Sequence, residues 1–126
     1  MRILADSNVL IRFLNGDEPD KGFLERLLKK NELYFSPINI AEVKAKSTDK
    51  QERDLKELIS IGTSLLIDEE TGEQAGNYRR QFLEKTKEVY LLDCFIAASC
   101  KIYDLTLVTN DVKDYPMKDI KIIKPS

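Results

Sequence analysis

At 126 residues the chain is long enough for a single domain, residues 1–126, around one core. Apolar residues make up 42%, which excludes a disordered chain, and a formal net charge of −2 leaves any contact with nucleic acid to a local patch. There is no histidine, which removes histidine general acid–base chemistry, Ser-His-Asp triads and histidine metal sites together.

The chain opens on Ile3-Leu4-Ala5, a short apolar run ended by Asp6-Ser7-Asn8. This pattern predicts a central strand of a parallel sheet. Asp6 and Ser7 are good helix N-caps, and Val9, Leu10, Phe13 and Leu14 follow at helical spacing. Asp6 is therefore expected where a strand gives way to a helix, on the edge where open α/β sheets bind ligands. On this stretch alone, a helix cap is the simpler account of Asp6.

Gly16-Asp17-Glu18-Pro19 ends the first helix. Residues 21–30 carry Phe23, Leu24, Leu27 and Leu28 on one face and predict an amphipathic helix ended by Asn31. Leu33-Tyr34-Phe35 predicts a strand, and Ser36-Pro37 a helix start, with Ile38, Ile40, Ala41, Glu42 and Val43 inside the helix. Residues 49–61 predict another amphipathic helix closed by Gly62. Residues 64–67 predict a third strand.

A long helix is expected over residues 68–85, with Ala75, Tyr78 and Phe82 as its apolar stripe. Residues 85–88 read as a solvated turn. Asp93 is expected to cap a helix running to about Tyr103, apolar on most sides and so buried. That helix holds both cysteines, Cys94 and Cys100, spaced to point to different faces; they read as reduced, buried small hydrophobes of a cytoplasmic protein. Residues 105–109 predict a fourth strand and residues 120–123 a fifth, at an edge. No apolar run reaches membrane-span length. Strands alternating with helices give an α/β fold of three layers, with a mainly parallel central sheet of four to five strands flanked by helices.

Most of the 22 acidic residues sit on polar faces, where a solvated charge explains them. Four interrupt apolar contexts instead: Asp6, Glu42, Asp93 and Asp111. Acids are rarely buried unless paired or bound to metal, and no Lys or Arg adjoins Asp6 or Asp93 in sequence. Asp6 and Asp111 are expected at carboxyl ends of strands, Glu42 and Asp93 at or near helix N-termini opening on the same edge. Converging carboxylates repel one another. A hard divalent cation, Mg²⁺ or Mn²⁺, relieves that repulsion and can activate water against a phosphodiester without a histidine base.

Four motifs stand in order: residues 4–11 (LADSNVLI), 38–43 (INIAEV), 92–98 (LDCFIAA) and 107–115 (LVTNDVKDY). Together they resemble the PIN-domain ribonucleases, and among them the VapC toxins of prokaryotic toxin–antitoxin pairs, across essentially the whole chain. The resemblance implies a PIN-like fold and a Mg²⁺-dependent endoribonuclease whose acidic quartet is Asp6, Glu42, Asp93 and Asp111, with Asp6 and Asp93 the firmest ligands. It implies that Asn8 and Thr109 support the pocket and that Asp114 braces the loop after the fourth strand. It also implies an RNA substrate, a cognate antitoxin and a homodimer.

Many relatives carry an arginine where this chain has Asn110. The remaining basic candidates for an RNA patch are Lys44, Lys46, Arg79, Arg80 and Lys113, each equally explicable as solubilising surface. A haloacid-dehalogenase-type hydrolase would want an aspartate at position 8, where Asn8 stands. A nucleotide-binding module would want clustered glycines, and the chain has 5, none clustered. A catalytically silent or non-toxin PIN domain, binding RNA or protein, is the alternative that keeps the same fold.

Overall fold

The computed structural model describes residues 1–83 and 89–126. Its centre is a five-stranded sheet in the order β3-β2-β1-β4-β5, with every neighbouring pair parallel. The strands are β1 (Ile3–Ala5), β2 (Leu33–Phe35), β3 (Thr63–Ser64), β4 (Thr106–Val108) and β5 (Ile122–Ile123). In β1, Ile3 pairs with Leu33 on one side and Thr106 on the other. The chain moves outward from β1 in one direction through β2 and β3. It then returns to β1's other side with β4. Order reversal of this kind opens a crevice at the carboxyl ends of the two strands.

Alternation along β1 explains the layers. Leu4 faces a core that includes Leu107, Ala75, Tyr78, Ile96 and Ala97. Ile3 and Ala5 face a second core with Val9, Leu10, Leu24, Val43 and Leu55. The first core is covered by α5 (Glu69–Phe82) and α6 (Leu91–Tyr103). The second is covered by α1 (Ser7–Asn15), α2 (Asp20–Lys29), α3 (Pro37–Ala45) and α4 (Asp49–Ile61). Within α3, Ile38 packs on the first core while Ile40 and Val43 serve the second. This helix therefore straddles the end of the sheet, which is how it brings Asn39 and Glu42 toward Asp6.

The helix boundaries follow local chemistry. Gly16 ends α1 in the left-handed conformation at φ 80°, where glycine carries no Cβ penalty. Ser36 caps α3, with Pro37 at its first position. Thr48 and Gln51 form a reciprocal capping box at α4. Both cysteines are buried and free. Among the described residues, no helix is long and apolar enough to cross a membrane.

Two expectations need correction. The third strand stops at Ser64, with one further bond from the Leu65 N–H to the Phe35 carbonyl. Its partner β2 gives out there, because Ser36 turns away to cap α3, so nothing remains for residues 66 and 67 to pair with. Leu66 is 74% exposed in consequence. The sixth helix starts at Leu91 behind Tyr90, which places Asp93 inside its first turn and not at its cap. Leu91 and Leu92 lie half-exposed on the outside of that turn. The turn expected over residues 85–88 lies outside the described residues.

Gly62 ends α4 with an unstrained backbone at φ −85°, so conformation does not demand a glycine. Packing does. A Cβ there would stand 2.2 Å from Cε2 of Phe35, a ring that is wholly buried. Gly62→Ala is expected to lose about 1–3 kcal/mol of stability through overpacking. Urea denaturation of the variant checks this, and an unshifted midpoint would refute it.

Candidate active site

Asp6 is fixed by both elements it joins. Its N–H donates to the Val108 carbonyl at 3.0 Å, and its Oδ1 accepts the Ser7 N–H at 2.9 Å as it caps α1. The start of a helix favours a negative charge, so the cap position suits a carboxylate. Oδ1 also accepts from Asn39 Nδ2 at 3.2 Å. Oδ2 accepts from Thr109 Oγ1 at 2.8 Å, Tyr115 Oη at 3.0 Å and Asn8 Nδ2 at 3.3 Å. Five donors thus serve one carboxylate that is 8% exposed. Burial raises the Asp6 pKa and outweighs the lowering by Thr109, Ser7 and Tyr115, while the nearby charge of Glu42 raises it further.

The other three acids surround this centre at one remove. Glu42 is the sixth residue of α3, further along than a helix N-terminus, and its Oε1 accepts from Ser7 Oγ at 2.7 Å. Ser7 Oγ in turn accepts from Asn39 Nδ2 at 2.9 Å. Asp111 Oδ2 lies 3.3 Å from Asn8 Nδ2, and the Asp111 N–H donates to Thr109 Oγ1 at 3.0 Å. Asp93 Oδ1 lies 3.4 Å from the Tyr115 hydroxyl. Its pKa is pushed up to about 6, first by burial and then by the charges of Asp6, Asp114 and Glu42. Asp114 acts on the loop through its backbone: its N–H donates to the Asp111 carbonyl at 2.9 Å and closes a single 3-10 turn, Val112–Asp114.

Asn8 and Thr109 each touch both Asp6 and Asp111. Asn110 has partners on two sides. The Asn110 N–H and Nδ2 donate to Asn8 Oδ1 at 2.9 and 3.1 Å. Its Nδ2 also donates to Asp20 Oδ2 at 2.8 Å. Asp20 is wholly buried and receives Arg12 Nε at 3.0 Å on its other oxygen. Asn110 is thus part of the frame that orients Asn8.

Five contributors escaped the sequence reading: Ser7, Asn39, Tyr115, Asp20 and Arg12. Only Asn39 left a usable signal, sitting three residues before Glu42 on the same helix face. Of the basic candidates, Lys44 pairs with Glu52 at 3.3 Å. Lys46, Arg80 and Lys113 are exposed. Arg79 is half-buried, and its charge reaches Cys94, the neighbour of Asp93. A hollow of about 460 Å³ lies at the far end of α1, lined by Phe13, Leu14, Leu28 and Leu58. It holds none of the four acids.

The acids around Asp6, namely Glu42, Asp93 and Asp111, would offer a metal only oxygen, the chemistry of a hard divalent cation. Among the described residues Asn39 Oδ1 is buried without a hydrogen-bond partner, an acceptor in reserve on a side chain that already touches Asp6 and Ser7. The residues fit such an ion in kind. They are not gathered tightly: among the described residues, no three acids or cysteines cluster as a ready-made metal site. The protein's own donors stand between the carboxylates.

The raised acids fix the sign of a pH dependence. Asp6 and Asp93 bind protons more tightly folded than unfolded, where the value is 3.8. Stability should therefore fall as pH rises from about 4 through 6. Asp68 is lowered by its Thr71 bonds, and in Asp119 burial is outweighed by Lys101 and Tyr78; both act below that window. With chelator present, the protein should be more stable near pH 5 than near pH 7, by on the order of 1–2 kcal/mol after allowing for solvent screening. Asp93→Asn should flatten that difference. Urea midpoints at both pH values are the check, and an unchanged slope would clear Asp93 of responsibility.

The chain matches the PIN domain over residues 3–120. It is 29% identical over 115 residues to ribonuclease VapC10 of Mycobacterium tuberculosis, covering 91% of this chain and 86% of that protein. Its fold superposes on VapBC2 of Rickettsia felis, solved bound to a DNA fragment from its promoter, with a TM-score of 0.84 at 21% identity and all of both chains covered. A toxin–antitoxin complex from Klebsiella pneumoniae gives a TM-score of 0.80 at 23% identity over 98% of each chain. In sequence over nearly its whole length, and in fold throughout, the protein belongs to the PIN domain family.

Proposed function

We propose that the protein is a divalent-metal-dependent endoribonuclease and the toxin of a VapBC-like type II pair. The observation that carries this is a buried aspartate at the carboxyl end of the central strand, with three further carboxylates held around it by shared donors. The similarity to a protein named ribonuclease supports the reaction class. The substrate follows as RNA. One observation favours the silent alternative: every lone-pair position of Asp6 is already engaged by protein donors.

In this reading Asp6 and Asp93 hold Mg²⁺ or Mn²⁺, with Glu42 and Asp111 completing the shell directly or through water. Asn8 and Thr109 keep Asp6 and Asp111 in register, and Ser7 with Asn39 does the same for Glu42. When bound, the cation supplies a water of lowered pKa and neutralises charge building on the phosphodiester. The chain's residues supply placement. No histidine is present to take the proton.

Asp6→Asn and Asp93→Asn should each lower RNA cleavage by orders of magnitude, and EDTA should abolish it. Cleavage by both variants at the wild-type rate, or cleavage that survives EDTA, would refute the assignment. The silent alternative predicts no cleavage by the wild type under any divalent ion.

A cognate antitoxin should bind and block the acidic pocket by presenting an Arg or Lys to it. Inhibition that survives removal of every basic antitoxin residue near the pocket would count against that mode. The resemblance also implies a homodimer, which would draw on exposed apolar side chains. Among the described residues, several such side chains lie together at Leu83, at the end of α5, and at Tyr90, Leu91 and Leu92, at the start of α6. Light scattering at micromolar concentration should report a dimer, and a monomer would refute it.

A further inference from the structure

Tyr115 follows the 3-10 turn with its ring in the core and 4% of its surface exposed. Its hydroxyl reaches Asp6 Oδ2 at 3.0 Å and Asp93 Oδ1 at 3.4 Å. Among the described residues it is the only side chain hydrogen-bonded to both acids. A phenol has one proton to give, and two carboxylates compete for it. Between like charges that proton offsets part of their repulsion.

Asp6 is the harder constraint. Its two oxygens offer about four acceptor positions, and five donors already converge on them. A further ligand can reach Asp6 only if a donor withdraws. The Ser7 N–H is fixed by the helix start. Thr109 and Asn39 are wholly buried, and Asn8 is shared with Thr109 and Asp111. Tyr115 alone also touches the second acid, so a group bridging Asp6 and Asp93 meets it first.

We propose that the Tyr115 hydroxyl competes with the divalent cation for the Asp6 and Asp93 oxygens. It holds the two acids together in the metal-free protein and gives way when the ion binds. This rests on the metal-dependent reading above. Tyr115 is here a positioning residue that opposes loading, so removing its hydroxyl should tighten metal binding. A merely structural hydroxyl would loosen the site when lost.

The chain contains no tryptophan and 5 tyrosines, so its ultraviolet emission is that of tyrosine alone. A phenol hydrogen-bonded to a carboxylate emits weakly. The experiment titrates MgCl₂ into full-length wild type and Tyr115→Phe, followed by tyrosine emission and by calorimetry. In the wild type, emission should rise saturably with the calorimetric midpoint. In Tyr115→Phe that rise should vanish and Mg²⁺ should bind about fivefold to tenfold more tightly, the scale of one net hydrogen bond. Phe keeps the buried ring, and the wild-type emission arm stands without the variant. Magnesium binding to the wild type with no change in emission overturns the proposal, as does equal or weaker binding by Tyr115→Phe. Absence of any Mg²⁺ binding to the wild type, by heat or by thermal stabilisation, overturns the metal reading itself and this proposal with it.

Discussion

A carboxylate buried at the end of the central strand is costly, and the architecture around Asp6 is what offsets that cost. An ionised acid without partners does not survive burial. The sheet supplies the first support, because β4 lies beside β1 and holds the Asp6 backbone. The start of α1 supplies the second. The remaining donors come from α3, from the residue after β4, and from the loop beyond it. Elements from both halves of the chain therefore converge on one residue. The strand order is what lets them meet.

Convergence carries an electrostatic penalty that hydrogen bonds only partly offset. The Asp93 pKa reports it: burial and three neighbouring carboxylates all push the same way, and only Tyr115 pulls back. Catalytic sites often carry such displaced values, since groups tuned for chemistry are rarely tuned for stability. That the described residues form no compact acid cluster belongs to the same balance. Neutral donors spaced between like charges are what a metal-free site of this kind needs.

Most of the framework was legible in the sequence because it is written in local signals. The α4 bounds, the Ser36-Pro37 start and the β2 strand follow from capping and periodicity within a few residues. The acids stood out because each interrupts an apolar run. What stayed hidden was decided at a distance. Tyr115 meets Asp6 across 109 positions and Asn110 meets Asp20 across 90; no local pattern encodes either. The overlong third strand failed for a related reason, since a strand's length depends on where its partner stops. Asp93 was misplaced by three positions, since Tyr90 holds the cap, enough to turn a cap into a group of the first turn.

The Arg12, Asp20 and Asn110 chain ties residue choices that lie far apart. Asp20 sits in the interior with one oxygen for each neighbour, and a single positive charge balances it. That charge arrives from position 12, so a neutral amide suffices at position 110. An arginine at 110 would set a second cation beside the same acid and leave one of the two unmatched. Positions 12 and 110 thus form one choice made twice. Asparagine at 110 is the complement of an arginine already spent on the far side of the same buried acid.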